Sequence, residues 1–381
     1  MLVELALYLL AFLSAAIVAV HLALGCAVLL NHVRGWLEGR RSRQQPRLPV
    51  SVLVAAKDEE KFLPVLLASL EAQTFLRFQI VLVDDRSTDG TAAIMEEFRA
   101  RLGERVKVVH NRQEPGGMNP KQCALDIAVR AAAGELLLFT DADCVVPPEW
   151  VRGLLAFFSD PRVGIVFGQL SLPAGGGFLE RFQAFDQPLI HQWNLGTAGL
   201  GMPGSCFGNN LAARRSVIDE VGGFHGLGDT PTEDAALVAA AAKRRWKVRV
   251  AARRSTMIVT RPQDSWAQFL NQHLRWNTGA FYHSDAGTRL PYRAIVLFLL
   301  ASVLAVPFSP FFVPLAMLPA ASFISVGLMA FLAGLQCRRD LGGYLLRLLP
   351  YTLFFLVFYS FVTLLSIFKI APLWKGRRLE R

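Results

Sequence analysis

The sequence predicts an α/β domain on a mostly parallel, mixed sheet, flanked at both ends by membrane-spanning helices. Three observations carry that prediction. The chain is 53% hydrophobic, with its longest uncharged runs near the two termini. Between Pro49 and Pro262, short Val/Ile/Leu runs alternate with longer Ala/Glu/Arg segments of helical period. Acidic clusters stand where two of the predicted strands end.

The elements follow in order. Residues 1–34 form the first span: Leu5 to Val33 contains no Lys, Arg, Asp or Glu, and roughly 20 apolar residues suffice to cross a bilayer. A cleaved signal peptide is the weaker reading, because no Lys or Arg precedes the run and it is too long for an h-region. Residues 35–48 are a basic linker. Arg34, Arg40, Arg41, Arg43 and Arg47 place the central region on the cytoplasmic side, since positive flanks stay inside; a bacterial inner membrane is the expected location.

Within residues 49–262 the pattern predicts strands at Val50–Ala55, Phe78–Val83, Arg105–Val109 and Leu136–Thr140, with helices at Glu60–Ala72, Thr91–Leu102 and Lys121–Ala132. This alternation implies parallel pairing. Gly175 to Gly177 and Gly196 to Gly208 read as loops without a phosphate-cradling spacing.

Residues 263–292 form an amphipathic, interfacial segment, and residues 293–372 hold about three further spans. Ala294 to Cys337 is long enough for two of them, although Pro307, Pro310, Pro314 and Pro319 also suit one span with a re-entrant piece. Leu348 to Phe368 supplies the last. Three spans would carry the basic tail at residues 373–381 (Lys375, Arg377, Arg378, Arg381) to the opposite face, against the charge rule. An interfacial segment or a further span would restore it.

The net charge of +10 is concentrated beside the spans, so membrane lipids rather than nucleic acid are the partner it implies. Cys26, Cys123, Cys144, Cys206 and Cys337 lack metal-site or disulfide spacing and read as reduced thiols.

In open α/β sheets ligands bind beyond the carboxyl ends of strands, which puts Asp84-Asp85 and Asp141-Ala142-Asp143 on one rim. Two carboxylates on a turn suit a hard divalent cation such as Mg²⁺ or Mn²⁺ that also touches a diphosphate. A solvated acidic turn is the plain alternative. Ser87 to Gly90 and Thr232-Glu233-Asp234 would, taken alone, be helix-capping chemistry.

Together these motifs resemble glycosyltransferase family 2. Asp58-Glu59-Glu60 follows the first strand, Asp84-Asp85-Arg86-Ser87-Thr88-Asp89-Gly90 follows the second, and Asp141-Ala142-Asp143, Thr232-Glu233-Asp234 and Gln272-His273-Leu274-Arg275-Trp276 come after in the expected order. The last two resemble the TED and QxxRW signatures of the membrane-bound branch, which includes ceramide glucosyltransferases, carotenoid glycosyltransferases and processive polysaccharide synthases.

The resemblance implies a GT-A nucleotide-sugar-binding domain, Rossmann-like, taking a UDP-sugar as donor with Mg²⁺ or Mn²⁺. It assigns the general base to Asp234, the metal to Asp141 and Asp143, and the nucleobase contact to Asp85. Asp58, Glu60 and Lys121 would lie near the donor, Arg275 on phosphate, and Trp276 beside the acceptor with Gln272. Glu233 would position its neighbours, and Ser205 and Cys206 would lie in an acceptor-side loop. His191, with Trp193, is a further candidate for the cleft. Lys57 departs from the aromatic or Asn often found there, so no nucleotide contact is assigned to it.

Three functions compete: a glycosyltransferase with a lipid acceptor, a processive polysaccharide synthase, and a non-catalytic nucleotide-sugar binder. The binder is weakest, because base and metal positions are both present. Four spans with few polar residues are few to line a sugar channel, which favours the hydroxyl of a lipid acceptor such as a sphingolipid, glycerolipid, polyprenol or carotenoid.

Overall fold

A computed structural model describes residues 2–41, 48–115, 118–173, 175–336, 341–374 and 377–378. Arg43, Arg47, Cys337, Lys375 and Arg381, named above, lie outside the described residues.

The chain begins with α1 (Leu2–Arg41), followed by β1 (Val50–Ala56), α2 (Leu63–Glu71), β2 (Gln79–Asp85), α3 (Thr91–Leu102), β3 (Val106–Asn111), α4 (Pro120–Ala131) and β4 (Leu136–Phe139). Next come α5 (Trp150–Leu155), β5 (Val163–Gly168), β6 (Leu170–Ser171), α6 (Phe178–Gly199), β7 (Leu211–Arg214), α7 (Arg215–Glu220), α8 (Glu233–Lys243), β8 (Lys247–Ala251) and β9 (Ile258–Val259). Four long helices follow: α9 (Trp266–Phe281), α10 (Ala286–Ala305), α11 (Met317–Gln336) and α12 (Leu341–Ile367).

Two compact units result. One comprises Leu30–Pro173 and Gly201–Arg261, the other Met1–Leu29, Ala174–Leu200 and Pro262–Arg381. The first contains a seven-stranded sheet in the order β3-β2-β1-β4-β7-β5-β8. Its strands β1 to β4 pair in parallel, whereas β7 runs antiparallel to both β4 and β5. Val52, Leu53, Val54 and Ile80 to Val83 are fully buried, as expected of strands covered on both faces.

The order reverses at β1: β2 and β3 lie to one side, β4 to the other. This is the switch point at which an open α/β sheet leaves a crevice beyond its strand ends. Asp84 and Asp85 are the last residues of β2, paired in register with His110 and Asn111. The helix expected from Glu60 starts instead at Leu63, with Pro64 in its first turn; Pro fits there because no intrahelical N–H is needed.

The second unit is helical. Phe182 and Phe185 of α6 and Phe269 of α9 pack with Tyr351 and Phe355 of α12 in one aromatic core. The loop expected at Gly196 is instead helix, since α6 runs to Gly199. A Cβ at Gly196 would meet Leu24 of α1 at 3.0 Å, so glycine serves a close helix–helix approach. Among the described residues, four helices are long and apolar enough to cross a membrane: Glu4–Gly35, Ala286–Phe308, Val313–Gln336 and Leu341–Ile367. The proline-bearing stretch therefore holds two such helices, separated by short 3₁₀ turns.

Candidate active site

The first wall of the site is the pair of loops after β1 and β2. Asp58 adopts φ 55°, and its Oδ1 accepts from Thr88 N at 2.7 Å. Glu60 Oε2 accepts from Gly90 N at 2.8 Å, and Asp89 Oδ2 accepts from Glu60 N at 3.1 Å. These acids tie one loop to the other. Asp84 accepts from Ser87 N and contacts His110 Nδ1 at 3.2 Å. Asp85 is buried, accepting from Asn111 Nδ2 at 2.8 Å and from two nitrogens of Arg86 at 3.0 and 3.1 Å. Arg86 also reaches Glu114 at 2.8 Å.

The second wall is the turn after β4. Burial, followed by the charges of Asp141 and Glu59, pushes Asp143 up to about 6. Such crowding of carboxylates is the environment a divalent cation relieves. Among the described residues no group of three or more His, Cys, Asp or Glu side chains forms a closed chelate. A two-carboxylate set completed by phosphate oxygens and water is the arrangement Mg²⁺ commonly takes, so the residues fit a cation shared with a diphosphate.

Lys121 joins the two halves of the site. Its Nζ lies 2.9 Å from Asp141 Oδ1 and 3.5 Å from Glu233 Oε1. Burial opposes its charge, but Asp141, Glu233 and Asp234 outweigh burial and hold the ammonium well above the usual lysine range. The base of this arrangement is α4. Asn119 caps it by accepting from Lys121 N at 3.0 Å, receives Asp229 Oδ1 on its own N–H at 2.9 Å, and donates to Thr230 O. Gln122 Nε2 donates to Phe224 O and Gly228 O. One helix start thus clamps the segment leading into α8.

At the start of α8, Glu233 is buried and Asp234 half-buried. Asp234 Oδ2 accepts from Gly208 N at 2.7 Å and Oδ1 from Ala235 N at 2.8 Å. Burial and the neighbouring Glu233 charge push Asp234 up to about 6, against the opposing effect of Lys121 and these two N–H groups. A Cβ at Gly208 would stand 3.0 Å from Asp234 Cβ and 3.2 Å from Oδ2, so glycine admits the carboxylate. Cys206 is buried, its thiol pushed well up by burial and by the Asp234 and Glu233 charges. Ser205 Oγ makes a long contact to Cys206 O at 3.5 Å.

The sheet unit therefore gathers Lys121, Asp141, Glu233, Asp234 and Cys206, while Asp58, Glu60 and Asp85 belong to the loop pair. Asn119 and Gln122 were not singled out by sequence, and Gly208 was read only as a loop glycine. An Asn-Pro helix start was the available signal for Asn119; nothing local marked Gln122 or the contact at Gly208.

The remaining predicted residues belong to the helical unit. His191 is buried in α6; Gln272, Arg275 and Trp276 are half-buried on α9. Trp193 Nε1 donates to His21 at 3.1 Å. Between Gln272 and Arg275, His273 is buried, bonded through Nε2 to Asp186 Oδ2 at 2.7 Å and through Nδ1 to Phe269 O at 3.0 Å. Asp186 was missed because a single acid in an apolar helical stretch carries no motif.

The sequence profile of glycosyl transferase family 21 matches residues 8–379. A beta-monoglucosyldiacylglycerol synthase of Synechocystis sp. is 29% identical over 209 residues, covering 53% of this chain and 42% of the relative. The poly(ribitol-phosphate) beta-N-acetylglucosaminyltransferase TarS of Staphylococcus aureus is 35% identical over 129 residues, 33% of this chain and 22% of that one. The chain thus spans less than half the length of these curated relatives.

Among solved structures, the mannosyltransferase PcManGT of Pyrobaculum calidifontis, in complex with GDP-Man and Mn²⁺, superposes with a TM-score of 0.54 at 19% identity, over 94% of this chain and 99% of that one. The GT-A-type nucleotide-sugar fold implied by the motifs is therefore present. With the profile covering nearly its whole length, the chain belongs to glycosyl transferase family 21.

Proposed function

We propose that the protein is an inverting, metal-dependent membrane glycosyltransferase that moves a hexose from a UDP-sugar to the hydroxyl of a lipid acceptor. The observation that carries this reading is the single cluster formed by Asp141, Lys121, Glu233 and Asp234 at the carboxyl rim of the sheet. It supplies, side by side, a diphosphate end and a proton-accepting end. The Synechocystis relative is named for a glycerolipid product, and four apolar helices give this chain access to acceptors of the same solubility.

In this reading the acceptor O–H gives its proton to Asp234. The freed oxygen bonds to the anomeric carbon from the face opposite the leaving group, and the bond from that carbon to the diphosphate oxygen breaks with its electron pair. A base held near 6 is ionised at neutral pH yet close enough in pKa to take a proton efficiently. Asp141 and Asp143 would hold Mg²⁺ or Mn²⁺, which when bound stabilises charge on the departing diphosphate. Lys121 lends its positive charge to the same end. Asp85 would accept from the nucleobase, with Asp58 and Glu60 shaping the loop around it. Arg275, Trp276, Gln272, Ser205, Cys206 and His191 are proposed to support donor phosphate or acceptor. The catalytic unit is proposed to face the cytoplasm.

Asp234→Asn tests the assignment. Transfer should fall by about a thousandfold, within the range for loss of a general base, while the Kd for UDP measured by calorimetry changes little. Retained turnover removes Asp234 as the base.

A further inference from the structure

The end of the first apolar helix meets the edge of the sheet. Gly35 closes the membrane-length stretch of α1, and its carbonyl accepts a hydrogen bond from Arg253 Nε at 3.1 Å. A Cβ on Gly35 would stand 3.5 Å from Val250 O and 3.8 Å from Ala252 N. The carboxyl end of β8, the edge strand of the sheet, therefore lies against this turn of helix.

That contact brings several basic residues to one end of α1. Arg249 is on β8, and Arg253 and Arg254 follow it directly; Arg34 precedes the contacted glycine. Arg34 and Arg254 are exposed. At the opposite end of β8, Lys247 is paired with Asp160 at 2.9 Å. Arg244 and Arg245 precede that opposite end, and the strand between Lys247 and the contacted Val250 is about 10 Å long at about 3.3 Å per residue.

An apolar helix stops where hydrocarbon gives way to headgroups, and the basic residues flanking it meet lipid phosphate. Guanidinium suits that partner because its planar fork binds phosphate oxygens in pairs. Charge on an edge strand also deters strand pairing, which would account for Lys247 and Arg249. It does not account for Arg253 and Arg254, which lie past the strand, Arg253 bonded to the helix end.

We propose that Arg34, Arg253 and Arg254 form a docking surface for the phosphate headgroups of anionic phospholipids at the end of α1. The inference rests on α1 being a span and is independent of the donor and acceptor readings.

The test uses the purified full chain in detergent, offered equal phosphatidylglycerol and phosphatidylcholine, with retained lipids counted by native mass spectrometry. Wild type should retain phosphatidylglycerol preferentially, and less of it as salt rises. The double variant Arg34→Gln/Arg254→Gln should lower that retention by about tenfold or more, since each arginine near an anionic surface contributes roughly fivefold. Arg244→Gln/Arg245→Gln should leave it unchanged. Equal retention by wild type and the first variant, equal loss in both variants, or salt-indifferent retention by wild type would overturn the proposal.

Discussion

Asp234 receives two backbone N–H groups and stands between an acid that raises its pKa and a lysine that lowers it. The pH dependence of transfer follows with a definite sign. A base works when deprotonated, so kcat/KM should fall as pH drops through about 6. At saturating metal, which removes the contribution of Asp143, Glu233→Gln should move this acid limb to lower pH. Lys121→Met should move it to higher pH and weaken donor binding, because it removes the cation beside Asp141 and Asp234. Full pH–rate profiles of the three proteins check both signs; coincident limbs would show that neither residue touches the base electrostatically. The acids were legible because their motif spacing survives as a string. Asn119 and Gln122 were not, because they act on backbone groups about a hundred residues away, where no local period reports the contact.

At the scale of elements, two glycines read as loop residues prove to be contact residues. Gly208→Ala would press a methyl onto Asp234, so kcat should fall at least about tenfold, with thermal unfolding lowered by only the roughly 1–3 kcal/mol of an overpacked site. An alanine variant with wild-type kcat would contradict the tight approach. Gly196→Leu would drive α6 from α1 at Leu24 and should destabilise the purified protein at a similar cost; unchanged thermal stability would refute that packing. Element types were legible from period, since Thr91–Leu102 is helix as read and the four strands fall within a residue or two of their predicted limits. Boundaries slipped where tertiary contacts decide them. Residues 60–62 leave the helical pattern because Glu60 is committed to Gly90 and Asp89 across the loop pair. Gly196 stays helical because a neighbouring helix fills the space a side chain would occupy.

For the whole molecule, the sequence predicted an α/β fold with apolar helices at both ends, and a seven-stranded sheet and, among the described residues, four membrane-length helices bear out that fold class. The reversed strand β7 was not readable, since pairing partners across long connections leave no periodic trace. Nor was the assignment of α6 to the helical unit, which follows from its aromatic face of Phe182 and Phe185 against Tyr351 and Phe355. The most direct measurement of the central claim is product capture. Purified full-length protein in a native lipid extract is offered UDP-glucose, UDP-galactose and UDP-N-acetylglucosamine in turn, each with Mg²⁺ or Mn²⁺, and products are separated by mass. A single glycolipid, one hexose heavier than its acceptor and absent with chelator or with Asp234→Asn, is the expected result. A ladder of lengthening saccharide, or no metal-dependent product from any donor, would contradict the account.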